Sequence, residues 1–402
     1  MLPLNGLNFC RGSAPRPRTI RLLLCPAMIV DDLVPYAAES SRGTLEVGGC
    51  DGKSMEQRSR EAGTRQPATP MTSEMPDRDA LESAVSLACR APSLHNSQPW
   101  RWVIGGFGLQ LFSDPDRLLP ATDAFGRQMV FSCGAALNHL HYAFAAMGWE
   151  CTIDRMPPRA DRDLLASIGL FRRHDASPAD ARMADAIGRR RTDRLPFAVP
   201  PSWVEVVPQL KAVAAEFGTD LEVLGERSRS ALEEASLRLT GYQGADPMYQ
   251  AELRWWTRHT NSRDGVPEEA LPTESQRRSV SLARGFPSGS AESTDTSIEQ
   301  DRSAIVLLTS AADSRLDWLR AGESLSAILL ECTSRGLATC SVTHLTEMPG
   351  TRTLVRELSS GNGLPQVLIR VGVVTDSVVP PQTPRRPLSE VLFHDRPARS
   401  QR

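Results

Sequence analysis

Lysine is almost missing from this chain: Lys53 and Lys211 are the only two in 402 residues. Schiff-base chemistry therefore has almost no candidate residue. Any grip on an anion must come from arginine, whose planar fork suits bidentate phosphate contacts. An excess of either charge is missing too. The formal net charge is −2 with 23% charged residues, so nothing pulls the chain toward nucleic acid or an anionic membrane. Aromatic residues are only 5%, while 40% apolar residues still allow ordinary cores. The eight cysteines form no C-x-x-C pair and no ladder of spacings. They read as reduced, buried thiols of a cytosolic protein. No apolar run approaches the ~20 residues of a spanning helix. The length allows two or three domains at roughly 150 residues each.

What is present is concentrated in Arg90–Trp102, RAPSLHNSQPWRW. An amphipathic helix over Asp77–Cys89 precedes it, with Leu81, Ala84, Val85, Leu87 and Ala88 as its apolar stripe. Pro92 and Pro99 each fix their own φ and push the preceding residue out of the α region, which predicts a shaped, extended loop. Ser93, Asn96 and Gln98 give it a hydroxyl and two carboxamides, suited to the donor and acceptor edge of a flat heterocycle. As ordinary structure, Asn96 and Gln98 are turn formers and Trp100 a core aromatic. His95 reads as a hydrogen-bonded filler. The order Ala91, Pro92, Ser93, Asn96, Gln98, Pro99, Trp100 resembles the flavin-binding motif of the nitroreductase family.

A second cluster lies at Arg189–Phe197, RRRTDRLPF, after a helical pattern over Ala179–Gly188. Such a run can be a solvated basic turn. A dianionic phosphate, however, needs several charge-assisted donors, and an Arg–Thr–Arg cluster supplies them. The run is similar to the opening motif of nitroreductases, which holds the flavin phosphate and ribityl chain. Position by position, Arg190 and Arg191 match the basic pair, Thr192 the serine and Arg194 the following basic residue. Arg385 and Arg386, in PRRPL at Pro384–Leu388, match the family's C-terminal basic residues, which the resemblance directs to the same phosphate.

The chain also repeats itself. A helix over Gly134–Met147, stopped by Gly148, matches one over Gly322–Arg335, stopped by Gly336. Leu137 falls on Leu325 and Leu140 on Ile328. A short strand follows each helix, then Met156-Pro157 or Met348-Pro349, then a last strand at Leu165–Phe171 or Val367–Val374. This order predicts duplication. Within the first copy, Arg101–Phe112 alternates as a hairpin turning at Gly105, Gly106 and Gly108. His139 and His141 stand two apart on their helix and make a poor metal pair.

The first half holds the Ser/Asn/Gln loop and the second the arginine run, the reverse of the usual order. The second half's next helix, Trp203–Phe217, leads directly into a strand, Asp220–Leu224, with no such loop. With SCGAAL at Ser132–Leu137, the pattern looks like the single-chain Acg-like branch of the nitroreductases. The resemblance implies an α+β fold in which one duplicated chain mimics the family homodimer, with antiparallel or mixed sheets flanked by helices. The expected organisation is a disordered extension over 1–76, a first half over 77–176 and a second half over 177–402. The second half carries a lid-like insertion over 246–301, with a helical stretch at Tyr249–Trp256 and a Ser/Gly-rich segment at Phe286–Ser297. Leu22–Val30 faintly resembles a signal sequence, and Gly48–Ser54 nearly mimics a phosphate loop; both are rejected.

The resemblance further implies an FMN-dependent oxidoreductase taking hydride from NAD(P)H and passing it to a nitro-aromatic or quinone-like acceptor. The alternative is a protein that stores FMN with little turnover. No metal, nucleic-acid or membrane partner is expected. No catalytic side chain is assigned, since flavin does this chemistry through its own ring. The Ser341–Thr346 backbone is expected to run past the reactive edge. A monomer acting as a pseudo-dimer, in the cytoplasm, completes the expectation.

Overall fold

In both halves of the chain, four antiparallel strands pair in one order: first, second, fourth, third. The computed structural model describes residues 75–106, 108–158, 161–173, 177–257, 263–280, 282–287, 300–374 and 380–394. The expectations for the N-terminal segment up to residue 74 and for 288–297 lie outside those residues. The first half runs α1 (Arg78–Ala88), β1 (Trp100–Gly105), β2 (Gly108–Ser113), α2 (Arg127–Ala146), β3 (Trp149–Arg155) and β4 (Leu164–Arg172). The second opens with α3 (Pro178–Arg189), α4 (Trp203–Glu216), β5 (Thr219–Leu224), α5 (Glu226–Gly244), α6 (Pro247–Thr257) and α7 (Glu274–Arg278). It continues with β6 (Ala304–Ser310), α8 (Arg315–Ser334), β7 (Ala338–Val342), α9 (His344–Glu347) and α10 (Pro349–Glu357). It closes with β8 (Leu364–Gly372), α11 (Leu388–Val391) and β9 (Leu392–His394).

The sheets are thus β1-β2-β4-β3 and β5-β6-β8-β7. Even their irregularities agree. The register shifts between Leu111 and Phe112 in one and between Leu308 and Thr309 in the other, each time just before a buried strand-ending serine, Ser113 or Ser310. The chain is internally duplicated.

Helices α2 and α8 pack along each other, and the closest approach falls at the paired glycines. A Cβ on Gly134 would lie 2.0 Å from the Leu319 carbonyl oxygen, and one on Gly322 1.9 Å from that of Phe131. Phe131 precedes Gly134 by the three positions that separate Leu319 from Gly322, so the contact is self-complementary, as across a two-fold axis. One turn on, Ser326 donates to Asn138 at 2.8 Å, again between matched positions. Both helices begin seven residues before the apolar pattern suggested, because polar side chains cap them. Asp123 accepts from the N–H groups of Gln128 and Met129, and Ser314 forms a capping box with Asp317.

The sheets differ in depth. Along β3 exposed residues alternate with half-buried ones after the buried Trp149, so the first sheet has one solvated face. β6 and β8 are buried on both faces. Val306, Leu308, Val367 and Ile369 pack toward α4 and α8, while Ile305, Leu307 and Leu368 pack toward α5, α9 and α10. Sequence reading missed β6 altogether, since a short continuous apolar run carries no period. The tail then crosses back: β9 pairs parallel with β1, Trp102 opposite Leu392. Among the described residues no helix is long and apolar enough to cross a membrane.

Candidate functional site

One cavity is walled by both halves and by the insertion between α5 and β6. The α1–β1 loop supplies Ser93, His95 and Asn96, and α2 supplies Gln128 and Ser132. The α3–α4 connection supplies Arg190, Arg191, Thr192 and Arg194, and the segment from Ser341 to His344 forms another side. Asn96 and Arg191, 95 positions apart in sequence, therefore face the same space.

The α1–β1 loop is not the extended segment its prolines suggest. Between Pro92 and Pro99 the chain makes a 3-10 turn at Leu94–Asn96, and His95, Asn96 and Gln98 take left-handed φ values of 51°, 56° and 50°. Such backbone costs of order 1–3 kcal/mol per residue and persists only where its surroundings fix it. Here they do. The Asn96 amide donates to the carbonyls of Gly265 (2.9 Å) and Pro384 (3.1 Å). The Leu94 N–H donates to Ser132 Oγ at 3.3 Å, and Ser93 Oγ accepts from the Gln98 N–H at 3.0 Å.

Two predicted residues stand outside the cavity wall. Gln98 is fully buried; its Nε2 donates to the Arg263 carbonyl at 2.9 Å and its Oε1 accepts from the Arg386 N–H at 2.9 Å. Arg386 pairs with Asp114 and donates to the Glu390 carbonyl. The two tie the loop to the tail. Arg385 does line the cavity, yet its guanidinium is committed to the carbonyls of Cys89, Arg90, Ala91, Thr383 and Pro384 and to Thr383 Oγ1. It clamps the tail onto the end of α1 and contributes charge rather than free donors.

The remaining arginines are differently placed. Among the described residues, seven arginines and no aspartate or glutamate line the cavity. Arg284 is paired with Glu347 and Arg370 with Asp301. Arg90, Arg190, Arg191, Arg194 and Arg385 form no ion pair among the described residues. Burial, with Arg191 and Arg90 beside it, pushes Arg190 down to about 10. Burial, with Arg190 and Arg90, pushes Arg385 down to about 9. The Nε atoms of Arg90, Arg190 and Arg191 are buried without a partner, as is Gln128 Nε2. Buried donors are ordinarily bonded, and concentrated positive charge without a counter-charge is costly to bury. This set of donors fits a dianionic phosphate. Arg370, bridging Asp301 and the Leu195 carbonyl, holds the arginine run against the second sheet.

Away from that cluster part of the wall is apolar. Val266, Val280 and Leu282 of the insertion face it, and Phe286 lies 5.3 Å under the Arg194 guanidinium and edge-on to His95 at 5.8 Å. Arg194 itself donates to the Ala270 carbonyl. Burial and the Arg284 charge lower His344 to about 3, so its ring is neutral; it exchanges a 2.8 Å hydrogen bond with Ser236. Among the described residues no metal-binding cluster is present. Sequence reasoning assigned none of Arg90, Gln128, Arg284 and Phe286 to the site, although Arg90 lies in the central loop and Phe286 opens the segment read as part of the lid-like insertion.

A Mycobacterium tuberculosis H37Rv protein named "Putative NAD(P)H nitroreductase acg" is 42% identical over 325 residues, 79% of this chain and 96% of that one. This chain belongs to the acg-type nitroreductase family. A second protein of that organism, the uncharacterized protein Rv3127, is 43% identical over 317 residues, 78% of this chain and 92% of its own. No family profile matches the chain. Among solved structures, a nitroreductase-like protein of Anabaena variabilis overlaps 76% of this chain and 90% of its own, at 10% identity and a TM-score of 0.41. The FMN-dependent nitroreductase NfnB of Mycobacterium smegmatis, solved with NADPH, overlaps 54% and 100% at 18% identity and a TM-score of 0.31. Family membership rests on the sequence relatives.

Proposed function

We propose that this chain is an FMN-binding oxidoreductase that takes hydride from NAD(P)H and delivers electrons to a small nitro-aromatic or quinone-like acceptor. The observation that carries the reading is the patch of buried and half-buried arginines with buried, free Nε donors and, among the described residues, no carboxylate in the same wall. A phosphate supplies the missing charge, and arginine's forked donors match its oxygens. Arg190, Arg191 and Thr192 bind it, with Arg90 adding donors and Arg385 adding field. Ser93 and Asn96 shape the wall on the opposing half, and Gln98 with Arg386 lock that wall in place. The apolar slot beside Phe286 accepts a flat ring. Bound FMN supplies the hydride and electron chemistry. His344 is neutral, so the acceptor's protons come from solvent.

We further propose that the chain acts as a monomer with one flavin. The loop that precedes β1 has no counterpart before β5, where Phe217 and Gly218 lead directly into the strand. A second reading, flavin storage with little turnover, is favoured by one contact: Phe286 sits between His95 and Arg194, groups from opposite walls. Anaerobic mixing of the flavin-loaded protein with NADPH or NADH separates the two. Rapid bleaching of the flavin supports the oxidoreductase. Persistent colour in both the native protein and Phe286→Ala supports storage, and colourless protein that takes up no FMN overturns both.

A further inference from the structure

His95 lines the cavity and is only 5% exposed, and its Nε2 is buried without a hydrogen-bond partner among the described residues. Buried polar atoms are bonded so regularly that each exception asks for a reason. Three residues of this loop carry left-handed backbone. Asn96 and Gln98 spend their carboxamides on fixing the turn, donating to Gly265, Pro384 and Arg263. In His95 the same strained backbone leaves a ring nitrogen unpaired on a residue that lines the cavity. The Phe286 ring, edge-on at 81°, limits its rotation.

The surroundings select what it can touch. The charged groups acting on His95 are Arg284 and Arg194, which line the same cavity. Burial first, then those two guanidinia, hold it well below its ordinary pKa, and a neutral ring is a poor partner for a phosphate. It has one hydrogen-bonding position to give to an uncharged group.

We propose that His95 contacts the ligand directly, hydrogen-bonding through Nε2 to the uncharged polar edge of a flat heterocycle or carbonyl compound. Two sources share that chemistry: the ring of the bound flavin, which rests on the function proposed above, and the electron acceptor. His95→Leu removes the bond and His95→Gln restores a polar group of similar reach. For the flavin edge, the Leu variant shifts the flavin absorption bands and weakens FMN binding roughly five- to tenfold before any acceptor is added. For the acceptor, spectrum and FMN affinity stay put while KM for a quinone rises by a similar factor at unchanged kcat. In either case the Gln variant recovers most of the loss. Thermal midpoints of the flavin-free variants report any folding defect separately. The inference fails if Leu matches the native protein in spectrum, FMN affinity and KM, or if Gln is as impaired as Leu. Failure of the flavin reading is distinct: the native protein itself then takes up no FMN.

Discussion

At the scale of single residues, what matters most is charge without a partner. Arg190 and Arg191 could be singled out in the sequence because basic residues beside a threonine can grip a phosphate by type alone. Each charge-assisted contact contributes ~1.5–3 kcal/mol, so Arg190→Ala with Arg191→Ala should cost FMN at least a hundredfold in affinity by titration. Riboflavin, which lacks the phosphate, should bind the native and doubly substituted proteins alike; equal loss for both ligands would place the phosphate elsewhere. The thiols make a second prediction. Burial pushes Cys89, Cys151 and Cys332 up to about 12 and raises Cys133 and Cys340 as well. A thiol raised in the folded state stabilises fully below its unfolded value of ~8.5 and loses that stability as pH climbs above it, by up to ~1.4 kcal/mol per unit. Arg190 and Arg385, lowered to about 10 and about 9, run the other way: their cost is full below the folded value and relaxes as pH rises through it. Arg127, Arg191 and Arg194 are lowered as well, but the five thiols decide the sign in this range because their unfolded value of ~8.5 is passed first. The thermal midpoint of reduced, flavin-free protein should fall between pH 8 and 10; a constant or rising midpoint would contradict the burial described.

At the scale of elements, the α2–α8 crossing is the critical contact. A methyl on Gly322 would meet the backbone oxygen of Phe131 at 1.9 Å and the Gly134 Cα at 3.1 Å. Backbone cannot step aside as a side chain can, so Gly322→Ala must push the helices apart. We expect a loss of at least ~1–3 kcal/mol in denaturant unfolding, with weaker FMN binding because the cavity spans both halves. Gly350→Ala, where nothing lies within 4 Å, is the control and should be near neutral. The pairing of these glycines was visible as spacing, but its meaning was not: they looked like helix residues at matched positions, and only packing made them a close approach. Helix starts were hidden for a related reason. Caps are made by Asp123 and Ser314 with Asp317, side chains that carry no apolar period.

At the scale of the whole molecule, duplication concentrates into one chain what a symmetric pair would share. The two sheets share strand order and bulge position, yet they have diverged where it counts: one half keeps the loop, the other the arginine run. Native protein should therefore hold one flavin per chain and sediment with the mass of a single chain at micromolar concentration. Two flavins per chain, or flavin lost on dilution together with a fall in mass, would contradict it. The tail strengthens the expectation, since β9 on β1 and Arg385 on the α1 terminus already bring the C-terminal segment back to the first half.

Local chemistry was determined by the sequence alone: which residues can hold a phosphate, which can border a heterocycle, and that the two copies share one plan. These are properties of residue type and spacing. Which donors remain free was decided only by the tertiary structure. Arg385 and Gln98 have the right groups but spend them on carbonyls brought close by the fold, whereas Arg90 and His95 keep theirs because nothing nearby meets them. Hydrogen-bond satisfaction is a relation between distant segments, and no stretch of the chain carries it by itself.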